Sequence, residues 1–150
     1  MSPPPFTLAP ATLADRERLW RIKKNCLRHY VEETWGFWED ISQRAHFDQN
    51  YDLDEIRLIL TDDGQLAGYI ACARTPPEIA LHNIMISPGY QNRGLGTAVL
   101  KNLLAEARAQ KLSVRLQVLR VNPARQLYER LGFTIYEETP THFRLRWQPA

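Results

Sequence analysis

Ile84-Met85-Ile86-Ser87-Pro88-Gly89-Tyr90-Gln91-Asn92-Arg93-Gly94-Leu95-Gly96-Thr97 changes its hydrophobic period in the middle. Residues 79–86 read as an apolar strand, and Ser87-Pro88-Gly89 stops it. Beyond Gly94 the apolar residues recur at helical spacing. Leu95, Val99, Leu103 and Ala107, with Leu100 and Leu104 beside them, form a stripe over about 94–110, while Lys101, Glu106 and Arg108 suit a wet face. A further strand is marked by Val114, Leu116 and Val118. Strand, helix, strand in that order asks for a right-handed parallel crossover inside a mixed sheet.

The turn at 91–97 is where this unit can carry chemistry. Backbone N–H groups converge at the helix start and can hold an anion such as a pyrophosphate. Gly94 and Gly96 permit close backbone approach, and Arg93 and the helix dipole favour negative charge. The turn lacks the Lys-Ser/Thr ending of a P-loop and the third glycine of the dinucleotide fingerprint, so neither of those sites is expected.

Outward from this unit, the N-terminal side reads as a short strand at 6–9 and a helix from about 12 to 30. A second helix is expected within 30–51, a stretch holding Tyr30, Trp35, Phe37, Trp38, Phe47 and Tyr51 among the acids Glu32, Glu33, Glu39 and Asp40. A hairpin follows, 56–60 and 66–72 around Asp62-Asp63-Gly64. On the C-terminal side a short helix over 122–131 has Pro123 in its first turn and Gly132 at its cap, and two strands near 133–138 and 142–147 close the order.

The 150 residues, 44% hydrophobic, suit one domain over 1–150, with 1–5 a proline-containing flexible arm. Nineteen Lys and Arg against seventeen Asp and Glu leave a net charge of +2 with no long run of either sign, which predicts no nucleic-acid partner. No stretch reads as a signal peptide or a membrane span, so a cytoplasmic protein is expected. Cys26 and Cys72 lie in no metal or redox spacing, and the four histidines show no ligand spacing, so no metal is expected.

Residues 84–96 resemble the acyl-CoA signature of the GNAT superfamily of N-acetyltransferases, an apolar strand followed by Gln/Arg-x-x-Gly-x-Gly/Ala. Asn122-Pro123-Ala124-Arg125-Gln126-Leu127-Tyr128-Glu129-Arg130-Leu131-Gly132-Phe133 resembles the family's second signature, with Leu-Tyr-Glu before Gly-Phe. The interval from Asn122 to Tyr128 is one residue shorter than in the family's usual pattern, which leaves the role of Asn122 open. The resemblance implies a six- to seven-stranded mixed sheet flanked by about four helices, with a parallel pair splayed at the acetyl-CoA site. It implies acetyl transfer to a primary amine by direct attack in a ternary complex; the alternative is an inactive module that binds acyl-CoA as a sensor or structural ligand. For binding acetyl-CoA it points to Ile84, Met85, Ile86, Gln91, Asn92, Arg93, Gly94, Leu95, Gly96, Thr97, Asn122 and Arg125.

By the same resemblance Tyr128 is the general acid, and a phenol of ordinary pKa near ~10 can protonate a thiolate whose acid is near ~8.5. The base is open. On the strand where some relatives carry a glutamate, this chain has Gln117, whose amide takes no proton. Glu78 and His82 are candidates, an imidazole near pKa ~6.5 being suited to the task, and so is water-mediated deprotonation. The family's acceptor pocket falls on Tyr30, Trp35, Trp38, Glu39 and Asp40, whose acids would attract a cationic amine. The acceptor is a small molecule or a peptide or protein amine, and the family allows a homodimer.

Overall fold

A computed structural model describes residues 4–150; of the arm expected at 1–5, residues 1–3 lie outside the described residues. In chain order the elements are β1 (Phe6–Pro10), a 3-10 turn (Leu13–Asp15), α1 (Arg16–Trp35), α2 (Asp40–Gln49), β2 (Ile56–Thr61) and β3 (Leu66–Thr75). Then come β4 (Glu78–Ile86), α3 (Leu95–Gln110), β5 (Ser113–Leu119), α4 (Ala124–Arg130), β6 (Thr134–Glu138) and β7 (His142–Trp147), with a 3-10 turn, Pro88–Tyr90, between β4 and α3. The strands make one seven-stranded sheet in the order β1-β2-β3-β4-β5-β7-β6. Its neighbours pair antiparallel except β4 and β5, which are parallel. This is the mixed α/β sheet with four helices that the sequence implies.

Helix ends depart from the periodic reading. The first helix runs past residue 30 to Trp35, because its backbone is released only at Gly36, whose φ of 87° is left-handed and whose N–H donates to the Glu32 carbonyl at 2.7 Å. The second helix starts where the Glu39 carboxylate accepts the Ser42 N–H at 2.7 Å, an N-cap bond that fixes α2 at residue 40.

Each face of the sheet has its own core. Leu95, Val99, Leu103 and Ala107 of α3 and Tyr128 of α4 pack on one face against Ile79, Leu81, Val114 and Leu116. Leu19, Trp20 and Ile22 of α1 and Phe47 of α2 pack on the other against Leu58, Tyr69, Ala71 and Met85. Between these layers β4 and β5 pair only from Glu78–Ser113 to Ala80–Arg115. Past that point β4 stays with β3 and β5 stays with β7, so residues 81–86 and 116–119 diverge and open a gap in the middle of the sheet.

Gly68 holds the open end of β4 in place. A Cβ at this position would lie 2.0 Å from the Met85 carbonyl oxygen, and the clash is with backbone, which cannot rotate away. Gly68→Ala is expected to cost ~3 kcal/mol, the upper part of the overpacking range, and to lower the melting midpoint by roughly 6–12 °C. A thermal melt equal to that of the unmodified protein would show that β3 moves freely here.

Candidate active site

The gap between β4 and β5 continues as a cleft of about 1130 Å³ that runs across both faces of the sheet. Ordinary small-molecule sites occupy ~300–1,000 Å³, so this one has room for two reactants side by side.

At one end lies the turn that the sequence singled out. Asn92 and Gly94 take left-handed backbone angles, φ 63° and 81°, and Gly94 caps α3. The first bond of the helix runs from the Ala98 N–H to the Gly94 carbonyl at 3.0 Å, so the N–H groups of Leu95, Gly96 and Thr97 lack intrahelical acceptors. Left-handed angles beside a helix start make an anion-binding concavity of backbone N–H groups. Asn92, Gly94, Leu95, Gly96 and Thr97 line the cleft, as do Ile84, Met85 and Ile86 of β4.

Gln91 also lines the cleft, but its amide is engaged, donating to the Ile86 carbonyl at 2.8 Å and so tying the turn to the end of β4. The Cys26 thiol donates to the same carbonyl at 3.1 Å. Arg93 lies over the Tyr90 ring at 5.8 Å. Arg125 is turned away, bonded to Glu129 at 2.9 Å and stacked over Phe143 at 4.8 Å, so the cleft is not lined by it. Asn122 lines the cleft while its side-chain oxygen accepts the Ala124 N–H at 2.9 Å, so it helps to start α4 despite the shortened interval.

Tyr128 comes from α4 into the middle of the cleft, its ring edge-on to Phe133 at 5.7 Å. Among the described residues, its hydroxyl has no protein hydrogen-bond partner. Burial pushes the phenol up to about 12, so it stays protonated at ordinary pH. The Cys26 thiol, in the same cleft, is likewise pushed up by burial, to about 11.

The two candidate bases part company. Glu78 sits at the closed end of the parallel pair, opposite Ser113, bonded to the Arg115 guanidinium at 2.8 Å, and does not line the cleft. His82 lines the cleft, with its Nδ1 2.9 Å from a carboxylate oxygen of Glu55. Gln117 lines it too, so the fifth-strand position is right and only its chemistry is wrong for a base.

The expected acceptor residues divide in the same way. Tyr30 and Trp35 line the cleft, and Trp35 approaches His142 of β7 with ring centroids 6.3 Å apart. Trp38, Glu39 and Asp40 do not line it. The Trp38 ring packs 6.0 Å from Trp20, and its indole N–H donates to Asp40 at 2.9 Å. Asp40 is paired with Lys24 at 2.6 Å, which holds its carboxyl below the usual range, and Glu39 is the cap of α2, held down by its bonds from Ser42. These acids are spent on local structure.

Sequence reasoning missed Glu55 altogether, and it missed that His29, His46, His82 and His142 all line one cleft. Among the described residues, no group of three or more His, Cys, Asp or Glu side chains could hold a metal ion, and no helix is long and apolar enough to cross a membrane.

Residues 18–133 match the acetyltransferase (GNAT) family. A [ribosomal protein bS18]-alanine N-acetyltransferase from Haemophilus influenzae is 30% identical over 120 residues, which cover 79% of this chain and 75% of the relative. The enzyme of that name from Escherichia coli K12 is 32% identical over 103 residues, 62% of this chain and 70% of its own. Two solved structures share the fold. The E. coli ribosomal-protein-S18-alanine N-acetyltransferase has a TM-score of 0.70 at 22% identity, covering 97% of this chain and 95% of that one. A paia N-acetyltransferase from Thermoplasma acidophilum in complex with coenzyme A has a TM-score of 0.73 at 16% identity, covering 99% of both. The chain therefore belongs to the GNAT family of acetyltransferases.

Proposed function

We propose that residues 1–150 act as one domain in the cytoplasm, transferring the acetyl group of acetyl-CoA to an amine of a peptide or protein by direct attack in a ternary complex. One observation carries this reading: a turn of free helix-start N–H groups, a stretch of β4 edge unpaired among the described residues and a buried phenol whose hydroxyl has no protein partner among them line a single cleft with room for two reactants.

In this reading the N–H groups of the turn hold the pyrophosphate, and the edge of β4 beyond Ala80, paired with no strand on that side among the described residues, offers N–H groups to the pantetheine arm and to the thioester oxygen as it gains charge. Tyr128 gives its proton to the departing sulfur. Burial weakens the phenol as an acid, and the same burial pushes up the Cys26 thiol in this cleft, so a sulfur leaving here would gain proton affinity alongside the phenol. Tyr30 and Trp35 wall the acceptor side, where a peptide backbone could lie between α1 and β7. The relatives' names, which specify an alanine of a ribosomal protein, favour a protein amine over a small molecule.

The test is release of free CoA from acetyl-CoA on addition of short alanine-led peptides with free α-amines, the same peptides with blocked N-termini, and a polyamine. Release with the free peptides alone is expected. Acetyl-CoA binding with no amine-dependent release would instead identify a module that binds the ligand without transferring it.

A further inference from the structure

Of the acceptors open for the amine's proton, Gln117 cannot take it and Glu78 lies outside the cleft, which leaves His82 or water. We propose that His82 takes this proton and that Glu55, reaching across from the segment before β2, is the positioning residue that holds the imidazole for the task; the proposal rests on the acetyl-transfer reading above.

The sheet itself aims His82. Ala71 of β3 pairs with Asn83 of β4 and the next residue, Cys72, pairs with Leu81, so His82 is the extra residue of a β-bulge and has no partner on β3. A bulge re-aims the side chain it carries, and bulges gather beside active sites. This one sits where β4 has already left β5, on the stretch that lines the cleft. The backbone beside it is fixed by the Cys72 N–H, which donates to the Glu55 carbonyl at 3.1 Å and sets Glu55 next to the bulge. The Glu55 carboxylate then meets His82 Nδ1 at 2.9 Å, with the imidazole side chain 48% and the carboxylate side chain 25% exposed. The ring is anchored yet still open to solvent and substrate.

A carboxylate on Nδ1 selects one tautomer. Nδ1 carries the hydrogen and donates it to Glu55, which leaves Nε2 with its lone pair free, and the carboxylate supports the imidazolium once a proton arrives. The acceptor ammonium loses one proton to Nε2, which passes it to solvent. The freed amine nitrogen forms its bond to the acetyl carbon and the carbon–sulfur bond breaks, with its electron pair leaving on sulfur. Tyr128 protonates that sulfur, and the second proton shed by nitrogen as the amide forms restores the phenol.

Besides Tyr128, other titratable or charged groups share the cleft: Lys23, Cys26, His29 and Tyr30 on α1, His46 on α2, Asp52 ahead of β2, Tyr90 before α3, Arg130 on α4 and His142 on β7. Burial holds Lys23 and His142 below their ordinary values. A pH profile of the unmodified enzyme alone would mix these groups, so the test compares variants. Steady-state rates over a range of peptide-amine concentrations would be measured against pH for His82→Gln, Glu55→Gln and the double variant, with acetyl-CoA affinity measured separately by calorimetry. His82→Gln is expected to lower kcat/KM at neutral pH by ~10²–10⁴ and to change the shape of the profile. Glu55→Gln should give a smaller loss with unchanged acetyl-CoA affinity. The double variant should be no slower than His82→Gln, because Glu55 acts only through the imidazole.

Losses that multiply in the double variant, or a His82→Gln enzyme with an unchanged rate and profile, would overturn the dyad. Failure of the unmodified protein to release CoA with any amine would instead overturn the acetyl-transfer reading itself. Because both side chains are partly exposed, the variants should fold, and their acetyl-CoA affinity reports this directly.

Discussion

Gly96→Asp is expected to weaken acetyl-CoA binding by ~10²–10³-fold while leaving the protein folded and slightly more stable. Residue 96 is in the first turn of α3, where a carboxylate interacts favourably with the helix dipole by about 0.3–1 kcal/mol. There is space for it: a Cβ at this position would meet only the Ile86 side chain at 3.6 Å, an ordinary contact, and the backbone is not in the left-handed region that Gly94 occupies. The same carboxylate would stand among the N–H groups assigned to the pyrophosphate. Two like charges ~4 Å apart at an effective dielectric near 20 repel by about 4 kcal/mol, and each ~1.4 kcal/mol is tenfold in affinity. Calorimetric titration of acetyl-CoA into the variant, beside a thermal melt, separates the two effects. Unchanged affinity would mean that the pyrophosphate is held somewhere other than this turn, whereas a lower melting point would refute the account of the helix start.

How far the sequence could go depends on whether a residue's role was set by its neighbours in the chain or by strands brought together later. The turn at 91–97 was legible because its parts are contiguous: a strand end, glycines at fixed offsets and a helix stripe together specify a helix start with free N–H groups. Tyr128 was legible for a similar reason, since its short helix carries it from the end of β5 back into the gap. The aromatic and acidic stretch around 30–51 has the composition of a pocket, yet Glu39 is a helix cap and Asp40 is a partner for Lys24 and Trp38. Composition does not say whether a carboxylate faces a cleft or closes a local bond. Glu78 and His82 look alike on paper, four positions apart on one strand. The point at which β4 leaves β5 separates them, and that depends on the pairing register. Glu55 was invisible because its meeting with His82 needs a bulge in β4 and a backbone bond from β3, neither of which leaves a periodic trace.

Tyr128→Phe tests the chemistry with the least disturbance to the fold. The ring packs against Phe133 and the core beneath α3, and phenylalanine keeps that packing. Among the described residues the hydroxyl has no protein partner, and it is not among the buried atoms left without one, so its removal strands no buried donor or acceptor. The melting point should therefore hold or rise, and acetyl-CoA should bind as before. The turnover number should fall by ~10²–10⁴, the usual contribution of one positioned acid. The pH dependence follows from burial. Because the folded phenol is raised to about 12, above its ordinary value near 10, it remains an acid throughout the range in which the amine is tested, and no alkaline limb below about 10 belongs to it. The phenylalanine variant should therefore be slower by the same factor at pH 6 and at pH 9, parallel to the unmodified enzyme. The shift also has a sign for stability: the unfolded chain gives up this proton near pH ~10 and the folded chain only near 12, so the unmodified protein loses stability over that window and the variant is spared that part of the loss. A turnover number equal to the unmodified enzyme's would remove Tyr128 from the reaction and leave the sulfur to be protonated by water.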